Sequence, residues 1–452
     1  MKIIIVGDGK IGFGLTERLA KDGHDIVVID RNAKVLETCQ QAVDVMAVQG
    51  NGASMEVLKE AGIENAQLLI AATSSDEINI LCCIMASKMS PVHTIARVRN
   101  PEYSKQLGFM QEEMGLSMTF SPEIETSREI STLLQFPSFL KRDRFANGKV
   151  EIVEIRITAN SVLCGQPLSK LYELVKVKVL VCAVERSNQA YIPTGSFTLD
   201  ENDNIYVTAG SRHLSQLIKN LGLMRDRVKQ VMIIGGSKTA YYLAAQLIAG
   251  NMGVTIIEQN PERCRELADM LPKANIIEGD GSKQDVLDEE GISSSDALVT
   301  LTDIDEENLI IALSAVQRGV PKVIAKINRT EYIDTFHHLG VDTFINPMQL
   351  TCARIVRYVR AMENSGEGSV QALHYIVGGK AEALEFHINA DTRFRGVSLA
   401  EIKLRENILI ASITHGNQTI IPGGGDSFAA GDTVVVVTLA EQRILDMNDI
   451  FA

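Results

Sequence analysis

The sequence predicts an α/β protein in which two doubly wound parallel sheets are each followed by a small α+β domain. Three observations support this fold class: a glycine-rich turn near the start of the chain, strict alternation of strand and helix patterns up to about residue 120, and a second copy of the whole arrangement further along. Because neighbouring parallel strands need crossover connections, short strands joined by helices form a doubly wound sheet.

The first sheet is predicted from short runs of β-favouring apolar residues. These runs place strands at 3–6, 26–29, 45–48, 68–72, 93–98 and 118–120. Helical patterns lie between them and begin near Ile11, Ala33, Ser54, Asp76 and Pro101. Since ligands of such sheets bind beyond the carboxyl ends of the strands, the residues after each strand are the candidate site.

A G-x-G-x-x-G pattern follows the first strand and opens a helix, over residues 7–12. Gly7 permits a sharp turn, Gly9 lets backbone amides approach a phosphate, and Gly12 lets the helix pack tightly on the strand. The unpaired amides and the positive end of the helix dipole favour an anion. The pattern predicts a dinucleotide-binding loop in a Rossmann-like sheet.

The second strand ends in Asp30, where a carboxylate can accept hydrogen bonds from the hydroxyls of an adenosine ribose. A carboxylate at this place also repels the 2′-phosphate of NADP. The alternative is an acid that only caps the following helix. ATP, ADP and NAD(H) share a ribose and a pyrophosphate, so the pattern leaves the nucleotide open.

Polar and basic residues follow the third, fourth and fifth strands. Arg97 and Arg99 alternate along one strand, so both point to the same face, which suits a polyphosphate; a structural ion pair is the alternative. Ser74 and Glu77 have the spacing of a capping box for the next helix. The candidate ligand-binding residues at these strand ends are Asn51, Gly52, Thr73, Ser74, Arg97 and Arg99.

An amphipathic helix at 123–134 follows the sixth strand, and its apolar face meets either a partner subunit or the core of its own chain. Residues 136–148, which include a Lys-Arg-Asp-Arg run, predict a linker. A small α+β unit comes next. Its predicted strands are 151–158, 177–184, 190–192 and 205–208, and its predicted helices are 166–174 and 213–220.

The chain then repeats itself, with Lys238 falling on Lys10 at an offset of 228 (238 − 10). The repeat of a whole two-domain module predicts domains at 1–135, 136–225, 226–362 and 363–452, with a flexible linker at 364–369. Ser237 and Ala240 replace two glycines of the loop, so we expect a weaker second site or one for a different nucleotide. The equivalent site residues are Gly235, Gly236, Ser237, Glu258, Asp280, Gly281 and Thr302, while Lys326 and Asn328 replace the arginine pair.

Composition excludes several classes of protein. The net charge of −13 and pI near 5.2 argue against a nucleic-acid surface, which needs a basic patch. No uninterrupted apolar run is long enough to span a bilayer. Seven cysteines form no C-x-x-C pair and are interpreted as small buried hydrophobes. The chain opens directly into a strand, so we expect no export signal and a cytoplasmic protein.

In combination, these motifs carry a resemblance to a known family. A dinucleotide-binding half with G-N/D-G, T-S-x-D-E-x-N and A-R-V-R, followed by a small half with I-P-x-G, resembles the RCK (regulator of potassium conductance) domain, also called KTN. Over essentially its whole length, the tandem arrangement is similar to the regulatory subunits of bacterial Trk potassium uptake systems.

This resemblance implies a gating-ring protein that binds NAD(H), ATP or ADP and controls a TrkH/TrkG-like membrane potassium-translocating subunit. It also implies a homodimer or tetrameric ring that associates peripherally with the inner face of the cell membrane. In such proteins the glycine loop (here Gly7, Asp8, Gly9, Lys10, Ile11 and Gly12) holds phosphate, and the acid after the second strand (Asp30 and Glu258) holds ribose. Arg97 and Arg99 would bind the terminal phosphate.

Two further classes of function are weighed against this one. An NAD-dependent oxidoreductase needs a proton donor near the nicotinamide, yet none of the eight histidines lies in a strand-end loop beside a candidate partner. The pair His337-His338 falls in a helical stretch. A cation sensor would use Asp303, Asp305, Glu306 and Glu307, but acids at a helix start also favour the dipole. The sequence has no Walker motif, which argues against a nucleotide hydrolase. Taken together, these observations lead us to expect that the protein is not an enzyme and has no metal site.

Overall fold

The structure, a computed structural model, describes residues 1–104, 106, 114–145, 148–223, 226–329, 339–341, 343–363, 370–416, 418–442 and 444–452. The pair His337-His338 and the predicted linker 364–369 lie outside the described residues. Among the helices in these ranges, none has the length and apolar character needed to cross a membrane.

The first sheet is parallel and confirms the predicted fold class. Its strand order is β3-β2-β1-β4-β5-β6. The strands are β1 Lys2–Val6, β2 Asp25–Asp30, β3 Met46–Gln49, β4 Leu68–Ala71, β5 His93–Arg97 and β6 Met118–Phe120. The helices are α1 Lys10–Lys21, α2 Ala33–Ala42, α3 Met55–Glu60, α4 Asp76–Met89, α5 Pro101–Ser104 and α6 Pro122–Gln135. A short 3-10 helix covers Ile63–Asn65.

The first antiparallel sheet has the order β10-β9-β11-β8-β7. Its strands are β7 Lys141–Phe145, β8 Val150–Arg156, β9 Leu180–Arg186, β10 Gln189–Tyr191 and β11 Asn204–Ala209. Its helices are the 3-10 helix Leu168–Lys170, α7 Leu171–Val175 and α8 Ser211–Asn220.

The prediction of a linker at 136–148 is wrong for residues 141–145, which form β7 and pair antiparallel with β8. Its charged residues have partners that a local pattern does not reveal. Arg142 lies over the ring of Phe136 and donates through Nε to Glu151 at 3.0 Å. Phe145 is 1% exposed. Buried ion pairing and one apolar anchor therefore make the charged run a strand.

The second parallel sheet repeats the first, with the order β14-β13-β12-β15-β16-β17. Its strands are β12 Gln230–Ile234, β13 Gly253–Glu258, β14 Asn275–Glu278, β15 Ala297–Thr300, β16 Lys322–Lys326 and β17 Thr343–Ile345. The helices are α9 Lys238–Ala249, α10 Pro261–Met270, α11 Gln284–Glu289, α12 Asp305–Gln317 and α13 Pro347–Glu363, with a 3-10 helix at Ile292–Ser294.

The second antiparallel sheet has the order β18-β19-β22-β20-β21. Its strands are β18 Val370–Ile376, β19 Ala381–His387, β20 Ile408–His415, β21 Gln418–Ile420 and β22 Thr433–Leu439. Short 3-10 helices cover Val377–Gly379, Leu399–Glu401, Ala440–Gln442 and Met447–Ile450. Each of the four sheets contributes to a buried apolar cluster within its own repeat.

The chain forms two compact units, each of which takes one half from each repeat. One unit comprises residues 1–131 and 229–356, and the other comprises residues 132–228 and 357–452. The first unit contains both parallel sheets, and the second contains both antiparallel sheets.

Within the first unit, the two repeats contact each other through helices. The hydroxyl of Tyr242 donates to the carbonyl oxygen of Arg99 at 3.2 Å, and Gln246 donates to Ser127 at 2.8 Å. Arg354 forms an ion pair with Glu125. The part of α6 in this unit is thus held by the same chain, and its apolar residue Ile130 is buried, as the core-facing alternative requires. Leu133 and Leu134, which belong to the second unit, are also buried.

Within the second unit, the two antiparallel sheets share an apolar layer. Residues from both repeats form one buried cluster, including Phe145, Ile152, Tyr206, Ile376, Ala383 and Val435. Glu154 lies opposite Lys141 and Tyr206 in the strand register. Burial, together with the neighbouring Glu185 carboxylate, raises the pKa of Glu154 to about 7.

We expect the second unit to lose stability as the pH rises from about 4.5 to about 7, because the folded protein holds the Glu154 proton more tightly than the unfolded chain does. Above pH 7 this loss is complete and should amount to about 1 to 3 kcal/mol. Hydrogen exchange of the β8 and β11 amides at acid and alkaline pH measures it. Glu154→Gln should remove the slope.

Glu385→Gln is the matched control, because Glu385 has the equivalent place in the second repeat and lies opposite Ala372 and Val435. It should leave the slope intact. An unchanged slope in Glu154→Gln would contradict the assignment.

Candidate nucleotide-binding site

The glycine loop lies at the carboxyl end of the first parallel sheet, where β1 is flanked by β2 and β4. This is the point at which the strand order reverses and at which sheets of this kind bind ligands. Gly7 has a φ of +93°, and a Cβ there would lie 2.8 Å from the backbone nitrogen of Thr73. A Cβ on Gly12 would lie 1.9 Å from the carbonyl oxygen of Gly7. Both positions therefore require glycine.

Gly9, in contrast, faces open space, since a Cβ there would have no neighbour within 4 Å. It is also the N-cap of α1, and it makes no side-chain hydrogen bond to the first turn of that helix. The first backbone amides of α1 therefore have no N-cap side chain as acceptor, and an exposed helix N-terminus of this kind is a ready anion site. Lys10 is exposed at the start of α1, whereas Asp8 and Ile11 are buried.

The Asp30 carboxylate binds two backbone amides of its own chain, and its contact with a ribose stays a prediction. Its Oδ1 accepts from the backbone N–H of Asn32 at 2.8 Å, which caps the turn before α2. Its Oδ2 accepts from the backbone N–H of Asp8 at 2.8 Å, which ties the carboxylate to the glycine loop. Since a carboxylate has further lone pairs, Asp30 can still accept hydrogen bonds from a ribose.

Two residues that sequence reasoning did not assign to the site clamp the ends of β4 and β5. Asn79 accepts from the backbone N–H of Thr73 at 2.8 Å and donates to the carbonyl oxygen of Arg97 at 3.0 Å. Asp76 accepts from the backbone N–H of Arg99 at 2.8 Å. Both residues recur in the second copy of the sequence, and this repetition could have identified them as part of the site.

The same clamp is present in the second copy. Asn308 accepts from the backbone N–H of Thr302 at 2.9 Å and donates to the carbonyl oxygen of Lys326 at 3.1 Å. Asp305 accepts from the backbone N–H of Asn328 at 2.9 Å. Asp305 therefore caps a strand end, and among the described residues no three His, Cys, Asp or Glu side chains are grouped to hold a metal ion.

The capping box predicted for Ser74 and Glu77 is wrong, because the N-cap of the helix is the next residue, Ser75, and not Ser74. Ser75 is the N-cap of α4, and its hydroxyl accepts from the backbone N–H of Ile78 at 3.2 Å. The reason is that the chain stays extended through Ser75, so that the helix begins at Asp76. The carbonyl oxygen of Ser74 instead accepts from the guanidinium of Arg99.

Arg97, which ends β5, and Arg99, which follows two residues later, both lie close to carboxylates of the protein. Arg97 lies 3.8 Å from Glu123, and burial lowers the pKa of Arg97. The Nε of Arg99 lies 3.3 Å from Asp76. The ion-pair alternative thus describes both side chains in this structure.

The loop after the third strand crosses close to the end of the first strand in both copies. A Cβ on Gly52 would lie 2.2 Å from Val6, and one on Gly281 would lie 2.4 Å from Ile234. The residues before these glycines form turns: Asn51 accepts from the backbone N–H of Ala53 at 3.3 Å, and Asp280 accepts from that of Ser282 at 3.0 Å.

In the second copy, two side chains accept hydrogen bonds from backbone amides of the glycine loop and of the helix that follows it. Ser237 is the N-cap of α9, and its hydroxyl accepts from the backbone N–H of Ala240 at 3.3 Å. Glu258 accepts from the backbone N–H of Gly236 at 2.6 Å, as Asp30 does in the first copy. Gly235 keeps a φ of +96°. The two loops therefore share a backbone conformation but differ at the N-cap of the following helix.

Comparison with known proteins agrees with this architecture. The TrkA-N domain family matches residues 3–122 and 231–347, and the TrkA-C domain family matches residues 152–222 and 383–451. The fold and these matches define a protein with tandem TrkA-N and TrkA-C domains.

Two relatives extend over essentially the whole chain. The chain is 32% identical to Trk system potassium uptake protein TrkA homolog 1 of Methanosarcina mazei, over 97% of this chain and 98% of that protein. It is 31% identical to Trk system potassium uptake protein TrkA of Haemophilus influenzae, over 100% of this chain and 98% of that protein. The chain belongs to the TrkA family of Trk system potassium uptake proteins.

Solved structures share the fold at low sequence identity. The GsuK RCK domain has a TM-score of 0.62 at 16% identity, and the match covers 97% of this chain and 92% of that one. The GsuK channel bound to NAD has a TM-score of 0.61 at 17% identity, covering 97% of this chain and 77% of that one.

Two alanine substitutions in the first loop should differ in their effect on stability, because only one of the two glycines is closely packed. Gly12→Ala should lower the free energy of unfolding by about 1 to 3 kcal/mol, because its Cβ overlaps the carbonyl oxygen of Gly7. Gly9→Ala should lower it by less than about 1 kcal/mol, since its Cβ meets nothing. Thermal unfolding of the two variants tests this, and equal losses would contradict the loop geometry.

Proposed function

We propose that this chain is a nucleotide-binding regulatory subunit, not an enzyme, which controls a membrane potassium-translocating partner in response to NAD(H), ATP or ADP. The observation that carries the proposal is the first glycine loop. An uncapped helix N-terminus opens beside Gly9, and the Asp30 carboxylate is fixed next to it.

In this proposal the pyrophosphate of the nucleotide lies on the amides of residues 7–12, and Asp30 accepts hydrogen bonds from the adenosine ribose. Asn51, Gly52, Thr73 and Ser74 border the same edge of the sheet. We propose that Arg97 or Arg99 exchanges its protein carboxylate for a terminal phosphate of the nucleotide. Such an exchange is a means by which a nucleotide alters the protein, since it releases Glu123 or Asp76.

The second site, formed by Gly235, Gly236, Ser237, Glu258, Asp280, Gly281 and Thr302, is proposed to be weaker. Its first helical turn already has an acceptor in the hydroxyl of Ser237. A nucleotide phosphate would have to displace that hydroxyl, which costs part of the binding free energy.

The regulatory role is supported by the family and by contacts within the chain. The relatives are named as Trk system potassium uptake proteins, and one fold neighbour is a channel bound to NAD. Tyr242 on α9 binds the backbone of Arg99, so the first site directly contacts the helix that follows the second glycine loop. A change at Arg99 therefore has a physical route to the second repeat.

The remaining parts of the proposal concern assembly. We propose four domains at 1–135, 136–225, 226–362 and 363–452, a homodimer or tetrameric gating ring, and a TrkH/TrkG-like membrane partner. The chain would then work in the cytoplasm at the inner face of the cell membrane.

Calorimetric titration with NADH, NAD, ATP and ADP tests the site. Gly9→Ala and Asp30→Ala should weaken binding at the first site at least about tenfold, because each removes phosphate access or a ribose acceptor. Glu258→Ala should have a smaller effect. Asp25→Ala, an exposed position at the other end of β2, is the matched control.

Equal losses from Asp30→Ala and Glu258→Ala would show that the ranking of the two sites is wrong. Steady consumption of NADH or NAD with a small metabolite would favour the alternative, an NAD-dependent oxidoreductase.

A further inference from the structure

The first glycine loop contains a buried carboxylate whose role is not explained by packing. Asp8 is 5% exposed, and its Oδ1 has no hydrogen-bond partner. Its backbone N–H donates to Asp30 at 2.8 Å, so two carboxylates lie at one turn of the chain. An unsatisfied buried carboxylate oxygen is costly, which makes this position unfavourable for an ionised side chain.

The groups around Asp8 come from three elements. Asp30 ends β2, the fully buried Cys39 on α2 donates a hydrogen bond through its thiol, and Lys10 begins α1 but is exposed. Burial raises the pKa of Asp8, the thiol lowers it, and the Asp30 carboxylate raises it; the net direction is upward. Burial, followed by the Asp8 carboxylate, raises the pKa of Cys39 to about 12, so the thiol stays protonated.

The second copy has a different arrangement. Gly236 takes the place of Asp8 and Leu267 takes the place of Cys39, both at the offset of 228. A Cβ on Gly236 would lie 2.8 Å from Leu267 and 2.9 Å from the carboxylate of Glu258. The second loop therefore has no room for this carboxylate, and the carboxylate pair belongs to the first site alone.

We propose that Asp8 makes nucleotide binding at the first site proton-linked: when a nucleotide pyrophosphate binds the glycine loop, Asp8 takes up a proton from solvent at Oδ1. The inference rests on the proposed function and adds a specificity-determining residue to it. The neutral carboxyl removes one negative charge from beside the pyrophosphate and gives the orphaned oxygen a hydrogen to donate.

The direction of the effect follows from charge. A bound pyrophosphate adds negative charge next to Asp8 and favours its protonated form further. The complex therefore holds more protons than the free protein, and affinity rises as the pH falls. One proton accounts for at most about a tenfold rise in affinity for each pH unit.

NAD is the appropriate probe, because its pyrophosphate keeps a constant charge between about pH 5 and pH 8, whereas terminal phosphates titrate near pH 6. Titration calorimetry of the full chain with NAD across this range, in buffers of different ionisation enthalpy, measures both affinity and proton uptake. The wild type should bind more tightly at the acid end and take up a fraction of one proton.

Asp8→Asn should bind NAD with an affinity that no longer depends on pH and that approaches the wild-type value at acid pH. Asp8→Gly, which copies the residue of the second loop, should also lose the dependence and serves if the asparagine variant fails to fold. Asp25→Asn, an exposed carboxylate at the amino end of β2, should keep it.

A wild-type affinity that does not change with pH, or an Asp8→Asn variant that keeps the wild-type slope, would overturn this inference while nucleotide binding stands. Absence of binding by NAD, ATP and ADP at every pH would instead remove the proposed function, and this inference with it.

Discussion

The close approach of α1 to the turn after β1 is the constraint on which the candidate site depends. With a Cβ on Gly12 placed 1.9 Å from the carbonyl oxygen of Gly7, no other residue lets the helix begin this close to the strand. Because the helix is so near, its N-terminus lies at the carboxyl end of the sheet, where exposed amides and the helix dipole favour an anion. Asp30 then holds the loop in place through the amide of Asp8.

The duplication preserves the frame of the site and changes its chemistry. The clamps formed by Asp76 with Asn79 and by Asp305 with Asn308 make the same backbone contacts. The glycine loops, in contrast, differ at the helix N-cap and in the pair formed by Asp8 and Cys39, which Gly236 and Leu267 replace.

Moving a two-state equilibrium from about 1:99 to 99:1 takes roughly 5.5 kcal/mol of differential binding. Sites that differ in affinity can share this requirement across an assembly.

The parallel sheets could be predicted from sequence because strand and helix patterns alternate along both repeats. Each pattern also occurs twice, at equivalent positions of the two repeats, which supports its assignment. Prediction failed where distant partners decide the structure. The strand β7 depends on Glu151 and Phe136, which contact Arg142. The environment of Asp8, in the loop between β1 and α1, depends on Cys39 of α2. The ion pairs of Arg97 and Arg99 likewise need Glu123 and Asp76, which only the folded chain brings near.

The central claim is that a nucleotide held by the first glycine loop controls a potassium pathway without being consumed. Its most direct test is potassium flux into vesicles that contain a Trk-type membrane subunit together with this chain, with and without NADH or ATP. The account predicts that nucleotide changes the flux with the wild-type chain, remains chemically intact, and has no effect with Asp30→Ala. A flux that ignores nucleotide, or that responds equally in the variant, would contradict it.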